Sequence, residues 1–171
     1  MERLQLSIRL LESRDIPQIA EAFAKLGWHK PASQYEQYLL EQKLNRRNVY
    51  VAFIAEQFVG YVTVCWLSTY EAFRTANIPE IVDFNVLPEF RRQHIGTALI
   101  DTAESEIAQV SHIAGIGVGM TADYGAAQRM YVLRGYIPDG RGLHHKDRPL
   151  RYGEQLRVDD DLALFFTKEL K

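Results

Sequence analysis

The chain has 171 residues, 47% hydrophobic and 25% charged, with a formal net charge of −2. That size and composition suit one globular domain with its own core, so residues 1–171 are read as a single domain. The small net charge leaves no general field for nucleic acid, no run nears the roughly 20 apolar residues of a membrane span, and the single cysteine, Cys65, excludes an internal disulfide framework or a zinc cluster built on several thiolates.

Leu4 to Leu11 alternates apolar and polar residues and predicts a strand. A helix follows, with Asp15 as its cap, Pro17 in its first turn and Gly27 at its stop. Ser33 to Leu44 predicts a second helix, with Ser33 as its cap. NVYVAFIAE and FVGYVTVCWL are β-rich runs separated at Glu56-Gln57, which predicts a hairpin with Cys65 buried on an apolar strand. STYEAFRTANIP reads as a loop and EIVDFNV as the next strand. In the following segment Ile95, Leu99, Ala103, Ile107 and Val110 form one apolar stripe, which predicts an amphipathic helix. HIAGIGVGM is a strand with Gly115, Gly117 and Gly119 on one face, open to the close approach of a helix or of a ligand. YGAAQRMYVLR is a helix ended by Gly135, YIPDG starts a strand that breaks quickly, and DLALFFTKEL is the last strand. The stretch Asp139 to Asp161 is too polar for core and predicts a long lid-like loop. The element order is therefore β α α β β β α β α β β.

The chemistry concentrates where EIVDFNV leads through LPEF into RRQHIGTALI. A helix N-terminus offers free N–H groups and the positive end of its dipole. Arg91 and Arg92 add attraction for an anion, and Gly96 admits close backbone approach, so the segment reads as a pyrophosphate site. Other phosphate-binding patterns fail on spacing: GIGVG lacks the final glycine of a dinucleotide fingerprint, and no Gly-Lys-Ser/Thr is present.

The stretch VLPEFRRQHIGTALI resembles the acetyl-CoA-binding motif of the GNAT (N-acetyltransferase) superfamily, through Val86, Pro88, Glu89, Phe90, Arg91, Gly96 and Leu99. Arg92 and His94 stand where that family usually has glycines. A second segment, YGAAQRMYVLRGY, is similar to the family's later motif through Ala127, Tyr131, Gly135 and Tyr136, with Tyr124 in place of the usual asparagine. The resemblance implies a mixed α/β (α+β) fold with a mostly antiparallel central sheet flanked by helices. It implies acetyl-CoA as co-substrate, held by Phe84, Asn85, Val86, Arg91, Arg92, Gln93, His94, Ile95, Gly96, Thr97, Tyr124 and Ala127, and direct transfer of acetyl to an amine. It assigns protonation of the departing thiolate to Tyr131, because a phenol is protonated at neutral pH. It also implies a backbone N–H donor for the oxyanion on the strand ending in Val86.

Asp83 and Glu80, on that strand, are candidate bases. Being three apart they should face opposite ways, and Asp83 is preferred. Either could instead hold the cationic amine, with water as the base. His144-His145 reads as a solvated loop pair, and Asp159 to Asp161 as a solvated charge run. No metal is expected. The expected partner is a small-molecule amine, with no nucleic acid or membrane, and the chain would act as a monomer or homodimer. The opening residues carry scattered charges without a signal-peptide core, so a cytoplasmic protein is expected. Protein N-acetyltransferase and non-catalytic acyl-CoA-binding or sensor domain are the alternatives.

Overall fold

A computed structural model of the chain describes residues 5–146 and 148–171. Leu4 of the first predicted strand and Asp147 of the predicted lid lie outside the described residues. The chain divides into two compact units, residues 1–66 with 82–106 and residues 67–81 with 107–171.

In the first unit, β1 (Leu6–Leu10) pairs antiparallel with β2 (Arg47–Ile54), and β2 with β3 (Gln57–Cys65). The β2–β3 turn is made by Ala55 and Glu56, both at positive φ (47° and 65°), the hand that suits a tight hairpin. Strand β4 (Glu80–Val86) contributes its C-terminal half beside β3. Helices α1 (Ile16–Lys25) and α2 (Ala32–Lys43) bring Ile16, Ile19, Phe23 and Tyr35 against the buried face of β2 and β3, with Val49, Val51, Phe58 and Tyr61 beneath them. Burying each such side chain contributes about 1.5–3 kcal/mol. Gly27, at φ +71°, ends α1 as expected.

Asp15 holds the N-cap position of α1 as expected, but it makes no side-chain cap bond there and is already helical (φ −80°, ψ −26°), because a 3₁₀ turn at Ser13–Asp15 winds up before α1; the expected cap at Ser33 is corrected. Glu12 caps that turn; the Asp15 carboxylate accepts from the Glu12 N–H at 2.8 Å and takes the Arg9 guanidinium bidentately at 2.7 Å. Pro31, extended at ψ 159°, precedes α2, so Ser33 lies inside its first turn. Helix α4 (Ile95–Ala108) buries Ile95, Leu99, Ala103 and Ile107 as predicted. Val110 falls beyond the helix end and is 70% exposed, so it leaves the predicted stripe. Cys65, at the end of β3, is half-buried rather than buried.

In the second unit the start of β4, Glu80 and Ile81, pairs in parallel with β5 (Ile113–Gly119) at Gly115 and Ile116. β5 pairs antiparallel with β8 (Leu162–Glu169), and β8 with β6 (Ile137–His145). A two-residue strand, β7 (Arg148–Pro149), lies on the far edge of β6. Helix α5 (Gly125–Leu133) ends before Gly135, whose φ is +91°. The segment expected to be a loop contains α3 (Glu71–Thr75), five residues long and too short to show a period. It forms because Tyr70 and Phe73 close onto Phe165, burying all three rings. The expected lid is also corrected. β6 continues to His145, with its register against β8 broken between Pro138 and Leu143, where Gly140 and Gly142 take positive φ. The interruption hides the alternation that would have marked a strand.

The strands run mostly antiparallel and helices flank them, in the expected order apart from the added α3 and β7. Among the described residues, no helix is long and apolar enough to cross a membrane.

Candidate active site

Strand β4 hands the chain to the predicted anion loop through Leu87, whose N–H bonds the Val59 carbonyl at 2.9 Å. Pro88–Phe90 form a 3₁₀ turn, and Arg91 folds back, its Nε donating to the Val86 carbonyl at 3.2 Å. Gln93 Nε2 donates to the Glu89 carbonyl at 3.2 Å. Arg92 and His94 both adopt the left-handed region, at φ +59° and +62°. Arg91, Arg92, Gln93, His94 and Thr97 are exposed, while Ile95 is buried and pins the loop to the core. The His94 carbonyl accepts the first helical bond of α4, from the Ala98 N–H at 3.0 Å. A Cβ on Gly96 would come 3.3 Å from the Phe84 ring and 3.7 Å from Val86, so this glycine lets α4 pack on β4.

Three residues before Val86, Asp83 holds φ +50° inside β4. A left-handed residue breaks the pleat, so period-2 alternation does not carry through it, and the parity argument that separated Asp83 from Glu80 does not apply. The Asp83 carboxylate receives five donors. Oδ1 accepts from Lys30 Nζ (2.8 Å) and Asn85 Nδ2 (2.9 Å); Oδ2 accepts from Gln34 Nε2 (3.0 Å), Tyr38 OH (3.0 Å) and Tyr61 OH (2.5 Å). Lys30 Nζ also donates to Tyr61 OH at 3.1 Å and lies 5.7 Å from the ring centroids of both Phe23 and Tyr61. Burial, reinforced by the negative charge of Asp83, pushes the Tyr38 and Tyr61 phenols well above their ordinary range, so both stay protonated as donors. Behind Tyr38 stands Arg47, 4.3 Å from its ring centroid, bonded to Glu41 (2.6 Å) and Thr63 (2.7 Å).

In the other unit, Glu80 is buried and takes a short hydrogen bond from the Ser68 hydroxyl, which itself accepts the Tyr70 N–H at 3.0 Å. The glycine face of β5 is covered by aromatic rings. Cβ atoms at Gly115, Gly117 and Gly119 would sit 2.4, 2.8 and 2.5 Å from Phe73, Phe165 and Tyr124. Tyr124 therefore lies over β5, its hydroxyl 3.2 Å from Asp160 Oδ1. Ala127 and Tyr131 share α5, one turn apart. Tyr131 is 5% exposed and packs edge-on to Tyr136 at 5.9 Å. Burial, with a smaller contribution from Tyr124, raises its pKa.

The histidine pair is corrected: His144 is buried, edge-on to Tyr70 at 4.9 Å, with Nδ1 3.0 Å from the Gly142 carbonyl. His145 Nε2 meets Asp159 Oδ1 at 3.0 Å, and Asp161 joins them within 4.8 Å, with the Lys146 ammonium 4.0 Å from the Asp161 carboxylate.

Sequence reasoning singled out Asp83 as a candidate base and Asn85 as a cofactor contact, and the structure joins the two at 2.9 Å; it did not single out Lys30, Gln34, Tyr38 and Tyr61. One signal was present: Gln34 and Tyr38 lie four apart on α2, the spacing that aligns side chains along a helix, whereas Lys30 precedes the helix.

The Acetyltransferase (GNAT) family matches residues 14–136. No curated protein sequence gives a significant match. Among solved structures, Ard1 from Thermoplasma volcanium has a TM-score of 0.70 at 20% identity, over 97% of this chain and 98% of its own. A spermidine N-acetyltransferase SpeG chimera from Vibrio cholerae and hSSAT has 0.68 at 16%, over 96% and 95%. PaiA N-acetyltransferase from Thermoplasma acidophilum, solved in complex with coenzyme A, has 0.66 at 13%, over 96% and 99%. These likenesses establish the fold, and the family match over most of the length, through both motifs read from the sequence, establishes that this chain belongs to the GNAT acetyltransferase family.

Proposed function

We propose that residues 1–171 work as a single acetyl-CoA-dependent N-acetyltransferase domain that moves acetyl directly to a cationic small-molecule amine in the cytoplasm. The observation that carries this reading is the Asp83 carboxylate. It is built into β4 three residues before Val86, lined by aromatic rings, and already engages an ammonium at 2.8 Å. A carboxylate so placed suits an amine that must wait, protonated, beside the cofactor strand. The residues present fit acetyl-CoA: Arg91, Arg92 and the open first turn of α4 offer charge and N–H donors to a pyrophosphate, and the two left-handed residues supply the backbone turn usually made by glycines. Phe84, Asn85 and Val86 would carry the pantetheine side through β4, and Gln93, Ile95, Gly96 and Thr97 complete the loop. Tyr124 and Ala127 are assigned to the cofactor by their place in the later motif.

Acetyl-CoA supplies an activated thioester. The neutral amine nitrogen attacks its carbonyl carbon; the C–N bond forms, the C–S bond breaks, and the thiolate takes a proton. The Asp83 oxygens already accept five hydrogen bonds, one of them from an ammonium, so we assign Asp83 to holding the acceptor's cationic end and the amine proton to water. Tyr131, protonated at neutral pH, gives the thiolate its proton. The test is thiol release from acetyl-CoA over a panel of primary amines, with Tyr131→Phe beside the native chain. Turnover should fall roughly 10²–10⁴-fold with CoA binding and melting temperature nearly unchanged. Near-normal turnover would move the proton to water or another residue, and no amine-dependent release from the native chain would leave a binding domain instead.

A further inference from the structure

The cation position beside Asp83 is filled by the protein itself. Lys30 leaves the α1–α2 connection and places Nζ 2.8 Å from Asp83 Oδ1 and 3.1 Å from Tyr61 OH, over the faces of Phe23 and Tyr61. Its side chain is 19% exposed and that of Asp83 15%. A carboxylate, a phenol and two ring faces are what would recognise any primary alkylammonium, and the lysine side chain is one. Lys30 also borders a hollow lined by Ala20, Glu21, Ala24, Trp28, His29 and Pro31, so a displaced ammonium has solvent within reach.

We propose that Lys30 is a resident ammonium that occupies the acceptor's cation position and must be displaced by the incoming amine, which makes it a specificity-determining residue. This rests on the acetyltransferase reading above. Exchange replaces one ammonium by another on the same carboxylate, so it costs little in charge desolvation. A neutral acceptor cannot replace the charge that Lys30 withdraws and is excluded. The apparent affinity for a cationic amine is reduced by the fraction of time the lysine is seated. A lysine seated nine-tenths of the time lowers it about tenfold.

The experiment is a calorimetric titration of 1,5-diaminopentane into the full chain and into Lys30→Met and Lys30→Arg, without acetyl-CoA. Lys30→Met keeps the aliphatic bulk and leaves Asp83 short of a cation, so Kd should fall about tenfold. Lys30→Arg seats a forked cation that holds a carboxylate through two bonds, so Kd should rise. The order Met, Lys, Arg in rising Kd supports the proposal. Equal affinities, weaker binding by the methionine variant, or no binding to any of the three overturns it. The arginine variant keeps the charge pair and reports even if the methionine variant melts early. Thiol release measured in parallel separates the two readings. Amine binding in the expected order without acetyl transfer defeats the acetyltransferase reading alone, and transfer with a flat or reversed order defeats this one alone.

Discussion

The loop at Arg91–His94 and the strand β5 use glycine in opposite ways. The loop takes glycine's conformation without the residue: Arg92 and His94 stand at φ +59° and +62°, in the region a side chain makes costly. β5 takes the residue without the conformation. Gly115, Gly117 and Gly119 are absent from the positive-φ positions and serve instead by having no Cβ, each with an aromatic ring where that atom would be. A glycine in a sequence thus marks either a backbone turn or a space, and a missing glycine does not mean a missing turn. Non-glycine residues hold the left-handed region at a cost of about 1–2 kcal/mol when neighbouring contacts fix them. Here buried Ile95 and the bond from the Ala98 N–H to the His94 carbonyl do so.

The contrast is most sharply tested at Gly115. A methyl there would lie 2.4 Å from the Phe73 ring, which is 1% exposed and wedged against Tyr70 and Phe165. Gly115→Ala should cost about 3 kcal/mol, a fall of roughly 6–12 °C in Tm by calorimetry. A variant as stable as the native chain would mean that β5 does not need the space.

The next largest effect is expected in the loop. Arg91→Ala with Arg92→Ala should weaken CoA binding roughly 10–100-fold at low salt. The loss should shrink in high salt, because exposed charges act partly at range. Unchanged titration calorimetry would remove the loop from the cofactor site.

His94→Gly gives the smallest effect and separates conformation from contact. Relief of the left-handed backbone, less the added entropy of glycine, should raise stability by up to about 1 kcal/mol. CoA affinity should hold or improve. A large loss of affinity would show that the imidazole itself touches the ligand.

Much of this was legible in the residues. EIVDFNV is β4 to the residue, and the stripe Ile95, Leu99, Ala103 and Ile107 is buried as its spacing requires. Short pieces escaped. Five residues of α3 contain little more than one turn, and β6 is interrupted at Gly140 and Gly142, so neither shows a clean period. The polar look of Asp139 to Asp161 hid a buried histidine, because His144 gains its place from Tyr70 and Phe165, distant in the chain.

The sequence alone determined the family and the strand that carries Asp83, and singled out the loop proposed to hold an anion, because those signals are local: a run of side chains in fixed order, or a repeat with the period of a helix or strand. Only the tertiary structure decided what surrounds Asp83. Lys30, Gln34, Tyr38 and Tyr61 converge on it from 22 to 53 positions away. A carboxylate's partners are set by distance in space, which falls off with no regard to separation along the chain. The same holds for the left-handed turn at Asp83 itself, which its residue type permits but which the surrounding hydrogen bonds hold in place.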